Sequence, residues 1–165
     1  MHSHAHQSAA FHDAVRRWHG RLFRLAARIL GSAGDAEDVV QEAMLRCFRS
    51  VLRGQLELGS VTEQLLVRVV TNLSLNWVRG RERARARDSS FPLGNLDGGA
   101  EAHVALRELN QLIGELPVTL RAALVLRELE GLSTREVADA LGCSEASVAQ
   151  RIARARSQLR EKVGS

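Results

Sequence analysis

Two short helical patterns meet at Gly142 with only a few residues between them, and that junction constrains the chain more than any other feature. The first pattern runs from Thr134 to Leu141, and the second follows Ser144 and continues to Leu159. Ala138 is small where two helices would cross, so their backbones can approach. Gly142 can take the positive φ that a sharp turn demands. Ser144 is a strong N-cap for the second helix, and Ser133 with Glu136 forms a capping-box pattern ahead of the first. Together these predict a helix-turn-helix, a unit that sets its second helix in a DNA major groove. Val148, Ile152, Ala155 and Leu159 recur at helical spacing and should pack inward. Ser147, Gln150, Arg151 and Arg154 fall on the other side, with Ser144 at the helix start. Gln can reach adenine, and Arg can reach guanine or the backbone. The plain alternative is a solvated polar face, and the turn chemistry favours DNA contact over it.

The first half of the chain is also helical in pattern. Phe11, Val15, Trp18, Leu22, Leu25 and Ile29 alternate steps of four and three, which predicts one helix with a continuous apolar seam. Residues 31–34 break it. A second helix follows from about residue 35 to 53, with Val40, Met44, Cys47 and Val51 inward. Residues 54–59 read as a loop. Ser60 and Glu63 form another capping-box pattern, starting a third helix with Leu66, Val69, Val70, Leu73 and Trp77 inward. Trp77 could stack on a base, but its spacing favours the core.

Residues 88–103 are rich in Asp, Ser, Gly and Pro without periodicity, as expected of a tether. Beyond it come a helix near residues 101–115, Pro117 at a helix start, and a helix reaching about Glu130. No strand pattern is convincing. The chain therefore reads as all-α: a His-rich disordered tail (1–9), a helical domain (10–87), a flexible linker (88–103) and a helix-turn-helix domain (104–165). His2, His4, His6 and His12 lack the Cys or acidic partners that would complete a metal site, and a metal or cofactor is not expected.

Charge separates the two modules. The chain carries net +4 with a pI near 10.3, so a polyanionic partner suits it. Residues 1–90 hold fourteen arginines against nine acidic residues, a net +5, whereas residues 101–165 hold nine of each sign. The basic excess lies away from the helix-turn-helix. Cys47 and Cys143 have no metal-ligand spacing and read as reduced thiols of a cytosolic protein. No run approaches a membrane helix, and the N-terminus lacks a signal-peptide core.

The outer stripe of the third helix is Arg68, Asn72, Asn76, Arg79 and Arg83, continuing into an arginine run that includes Arg81. A helix C-terminus favours cations, but five arginines in nine residues exceed that need. Amides beside arginines suit base reading and phosphate holding, so nucleic acid is the preferred reading. The outer face of the second helix carries Asp38, Gln41, Glu42, Leu45 and Arg49, with Asp35 at its start. Early acids favour the helix dipole. An apolar Leu45 ringed by charge resembles a protein contact with a polar rim.

These segments together resemble the extracytoplasmic-function (ECF, group 4) sigma factors, the small two-domain members of the bacterial sigma-70 family. The blocks that carry this are Arg28-Ile29-Leu30-Gly31, Asp35 through Ala43, Asn72 through Arg79, and Leu116-Pro117. Glu130-Gly131-Leu132-Ser133, Glu136-Val137-Ala138, Leu141-Gly142-Cys143-Ser144, Val148 and Arg154-Ala155-Arg156 complete them. The resemblance covers nearly the whole chain outside tail and linker. It implies that the first module is sigma region 2, binding the β′ clamp helices of core RNA polymerase through the helix that carries Asp35, Asp38, Gln41, Glu42, Leu45 and Arg49. It implies that the third helix and its preceding loop read and melt the −10 promoter element, capturing unstacked non-template bases. The second module would be region 4, reading the −35 element as duplex and touching the β flap. The family often has an anti-sigma factor that masks both modules. The chain departs from the family pattern at Thr62, Leu65, Asn76 and Ala149, and its 54–59 loop has little aromatic character, which bears on promoter sequence and melting strength.

The expected function is thus a promoter-specificity subunit without catalysis of its own. A helix-turn-helix regulator that binds duplex DNA without polymerase is the alternative, but it leaves the Arg68–Arg83 stripe and Leu45 unexplained. A helical enzyme finds no Ser-His-Asp grouping, metal spacing or phosphate loop to support it.

Overall fold

The computed structural model describes residues 2–85 and 104–164, with side chains at Phe11, Asp13, 16–83 and 108–164. Seven α-helices occur among them and no strand. The first body is α1 (His2–Leu30), α2 (Ala33–Leu52) and α3 (Glu63–Arg85). The second is α4 (Val104–Gly114), α5 (Val118–Leu124), α6 (Thr134–Leu141) and α7 (Glu145–Val163), with a π turn at Val125–Leu129 extending α5.

The apolar stripes form the first body's core. Leu22, Leu25 and Ile29 of α1, Val40 and Ala43 of α2, and Leu66 and Val70 of α3 are all but fully buried. Phe11 meets Phe48 at 5.0 Å between ring centroids. Each large aliphatic side chain so placed contributes about 1.5–3 kcal/mol of burial. α1 ends where Gly31 turns to φ 71° and donates its N–H to the Ala27 carbonyl at 2.8 Å. Ser32 then caps α2, its Oγ accepting from the Asp35 N–H.

Three sequence expectations change here. α1 begins at His2, so residues expected to form a disordered tail are helical backbone. Ala5, Gln7, Ala9 and Ala10 are good helix formers, and they extend a helix whose nucleation the Phe11–Ile29 seam already supplies. α3 is capped by Thr62, whose Oγ1 accepts from the Leu65 N–H at 3.2 Å, and not by Ser60, which ends a short 3-10 turn. The Glu63 carboxylate bonds Arg21 instead of reaching back to a cap. Trp77, expected in the core, is 40% exposed. The buried face of α3 runs through Val67, Val70, Thr71, Ser74 and Leu75, with Val78 packed against the core, and Trp77 falls at its edge. The tether expected at 88–103 lies outside the described residues.

In the second body the turn chemistry is as read. Ser133 Oγ accepts from the Glu136 N–H, and the Glu136 carboxylate accepts from the Ser133 N–H at 2.8 Å. The carboxyl of Glu136 is held below the usual glutamate range, chiefly by that backbone bond. Gly142 is left-handed at φ 61°. Ser144 Oγ accepts from the Ser147 N–H and caps α7. Val137, Val148 and Ala155 are buried where α6 and α7 meet.

The two bodies touch. α3 packs along α6, and α1 meets α4, α5 and the π turn. Arg21 Nε donates to the Glu130 carboxylate at 2.8 Å, Arg28 donates to its other oxygen at 3.3 Å, and the Glu130 side chain is only 6% exposed. Arg121 donates to the Ile29 carbonyl at 2.7 Å and the Leu116 carbonyl at 3.0 Å, closing the ends of α1 and α4 together.

Candidate nucleic-acid and polymerase interfaces

The N-cap at Thr62 sets the phase of α3. Arg68, Asn72, Asn76, Arg79 and Arg83 all emerge on its exposed side. Beside this stripe, α2, α3 and the loop between them line an open groove of about 420 Å3. That size is in the range of small-ligand pockets. Leu65, Val69 and Leu73 supply apolar walls, while Asn72 and Asn76 bring amides from α3 and Arg46, Ser50 and Gln55 bring polar groups from α2 and the loop. Gly54, left-handed at φ 67°, folds the loop back so that the Gln55 and Leu56 N–H groups bond the Ser50 carbonyl. The groove thus offers both apolar surface and amide groups to whatever enters it. Asn72 and Asn76 were expected on this face from sequence, whereas Arg46, Ser50 and Gln55 join them along the groove only through the packing of α2 on α3. Cys47 also lines the groove, and burial pushes its thiol up.

Arg81 does not join the stripe. Its guanidinium is paired with Asp35 at the start of α2. Two residues expected on separate interfaces therefore bind each other, and both are half-buried. The remaining α2 face is intact. Asp38, Gln41, Leu45 and Arg49 are exposed, Leu45 at 46%. Glu42 bonds Arg46 at 2.6 Å, which holds its carboxyl below the usual range.

On α7, Gln150 and Arg154 are exposed and Arg151 and Ser147 are half-buried. Ser144 and Ser147 share a hydroxyl bond of 2.9 Å, so Ser144 is first a cap. Between the bodies lies a cavity of about 450 Å3, lined by Arg68 together with Glu136 and Asp139 of the helix-turn-helix. Among the described residues no group of His, Cys, Asp and Glu could hold a metal ion.

Comparison with known proteins gives these faces a family. Residues 14–84 match the model of Sigma-70 region 2, and residues 106–159 match that of Sigma-70, region 4. The chain is 32% identical over 160 residues to the ECF RNA polymerase sigma factor SigM of Mycobacterium tuberculosis, covering 94% of this chain and 78% of that one. This chain belongs to the ECF sigma factors of the sigma-70 family. A second sigma factor, ECF RNA polymerase sigma factor SigE of Mycolicibacterium smegmatis, is 37% identical over 156 residues, which are 90% of this chain but only 60% of SigE. The fold is that of the sigma factor RpoE from Bartonella quintana, solved in complex with the anti-sigma factor NepR, at a TM-score of 0.77 and 20% identity over 93% of this chain and 96% of that one. In this sigma factor the α3 stripe and its groove belong to the region 2 match, and α6 and α7 to the region 4 match. No described helix is long and apolar enough to cross a membrane.

Proposed function

We propose that this sigma factor, of the group 4 subclass, is the promoter-specificity subunit of bacterial RNA polymerase, acting in the cytoplasm. It has no catalysis of its own, and phosphodiester chemistry belongs to the polymerase. Region 2 spans residues 10–87 and region 4 residues 104–165, joined by the linker at 88–103. Asp38, Gln41, Glu42, Leu45 and Arg49 of α2 bind the β′ clamp helices, with Asp35 bracing the helix start through Arg81, and region 4 touches the β flap. Arg68, Asn72, Asn76, Arg79 and Arg83 hold the −10 element, and the groove beside them takes an unpaired non-template base. Ser147, Gln150, Arg151 and Arg154 read the −35 element in the major groove. An anti-sigma factor that masks both regions is the regulatory partner.

The observation that carries this reading is one chain holding two nucleic-acid faces of different kinds. An open groove beside Asn72 and Asn76, roomy enough to admit an unpaired base, suits single strands, while the α6–α7 unit suits duplex. A duplex-binding regulator has no use for the first. The deciding experiment is fluorescence anisotropy of the purified chain with core RNA polymerase, with and without promoter DNA. Tight core binding, with promoter bound well only in the complex, is expected. Absence of core binding with tight duplex binding by the chain alone would overturn the reading.

A further inference from the structure

Arg17, Arg21, Arg24 and Arg28 recur on α1 at steps of four, three and four. At about 100° per residue they fall within an arc of about 60°, so α1 carries one stripe of four cations. Like charges four apart weaken a helix. The helix dipole accounts for Arg28 alone, which is the one in the last turn. The stripe therefore needs a reason outside α1.

Two of the four have partners. Arg21 and Arg28 share the Glu130 carboxylate, and Arg21 also bonds Glu63. Arg17 and Arg24 are exposed and have no hydrogen-bonding or ionic partner among the described residues. Asp13, four residues before Arg17, makes no ion pair with it. Gly20 stands on the same side, and a methyl group at its Cα would lie 3.5 Å from Arg24 Nη1. The Arg24 guanidinium thus lies back along the helix, over Gly20 and toward Arg17. Two cations share one bare stretch of surface with no anion between them.

We propose that Arg17 and Arg24 hold backbone phosphates of the duplex between the −10 and −35 elements. The group already seated on this stripe is a carboxylate, and phosphate offers guanidinium the same kind of anionic oxygen. α1 meets α4, α5 and the π turn of the second body, so the stripe stands at the seam between the two proposed promoter readers. The spacer duplex is the DNA that runs between them. Helical rise sets Arg17 and Arg24 about 10 Å apart, the axial rise of about three base pairs, so each meets its own phosphate. Neither reads a base, and the contact adds affinity without sequence choice. The inference rests on the promoter reading above.

The test uses holoenzyme reconstituted from the full chain and core polymerase, with promoter duplex as the probe. Affinity is followed across a salt series, in which each phosphate contact contributes about 0.9 to the slope of log K against log salt. Arg17→Ala with Arg24→Ala should bind promoter more weakly, with a slope shallower by about 1.8. Arg17→Lys with Arg24→Lys keeps both charges and should keep the parental slope. Replacing the spacer phosphates with uncharged methylphosphonates should lower the parent's slope and erase its difference from the alanine variant. The alanine variant loses like-charge repulsion within α1, so its thermal midpoint should not fall. A parental slope in the alanine variant, or a difference that survives on the methylphosphonate spacer, would overturn the proposal. So would weakened binding of that variant to core polymerase without DNA, which would give the arginines to an acidic surface of the polymerase. A parent holoenzyme that binds promoter and scrambled duplex equally would overturn the promoter reading itself, and the spacer contact with it.

Discussion

Arg151 and Gly142 show how differently two residues of one motif carry their roles. Arg151 is half-buried nearly two turns into α7, so its reach is restricted. On the proposed reading Arg151→Ala should cost about 1–3 kcal/mol at one −35 position and relax preference there. Binding measured across single-base variants of the element checks this, and an unchanged preference would remove Arg151 from the reading set. Gly142 has no DNA role to lose. Its φ of 61° is a conformation that L side chains enter at a cost. Gly142→Ala should destabilise the helix-turn-helix by about 1 kcal/mol, seen as a lower midpoint in thermal unfolding. The turn at Gly142 was legible in sequence because turn chemistry is local. The pairing of Asp35 with Arg81 is not local, and nothing in the spacing of either residue announces it.

Among elements, α6 is the one whose start depends on pH. The Glu136 carboxyl titrates below the usual value of about 4.3, because its charged form accepts the Ser133 N–H. Its contribution is therefore complete above the unfolded value and is lost as pH falls through the lowered folded one. The Ser133 amide resonance, followed by NMR during acidification, should move with a midpoint below about 4.3. The face of α2 makes a second claim. Asp38→Arg with Leu45→Ala should abolish core polymerase binding while the far-ultraviolet circular dichroism stays parental, since both side chains are exposed. Normal binding by that variant would discard the clamp-helix assignment. Every helix was expected from apolar periodicity, and the stripes of α1, α2 and α7 pack inward as their spacing implies. What periodicity misjudged is the phase of α3, whose buried face includes Val67, Thr71, Ser74 and Leu75 while Val69 and Leu73 are only half-buried, and one helix start. It put Trp77 inward with Leu73, whereas both stand at the edge of the face that α1 and α2 cover. It chose Ser60 over Thr62 as the cap, because both residues are competent and only the Arg21–Glu63 bond separates them.

For the molecule as a whole, the packing of the two bodies was the least legible feature. Arg21 and Glu130 are 109 residues apart, and a flexible tether predicts no docking. Yet Arg68, a candidate −10 contact, lines one cavity with Asp139 of the helix-turn-helix. Elements centred near −10 and −35 lie about 25 base pairs apart, or about 85 Å at 3.4 Å per pair. On the proposed reading, bodies docked within one compact chain are too close to reach both, so promoter engagement would part them. Glu130→Gln removes the carboxylate that Arg21 and Arg28 share, a loss of about 1–3 kcal/mol at this contact. Small-angle scattering should then report a radius of gyration above the roughly 15 Å of a compact chain of this length. A parental value would show that Arg121 and the apolar contacts suffice to hold the bodies together.

The double grip of Arg21 makes that parting lopsided. Arg21 also bonds Glu63 at 2.7 Å within its own body, so it keeps a partner when Glu130 leaves. Arg28 and Glu130 keep none of their shared bonds. Separation thus bares a cation on the first body and an anion on the second. On the proposed reading, promoter phosphates attract the one and repel the other, so the DNA that parts the bodies also discourages them from closing again.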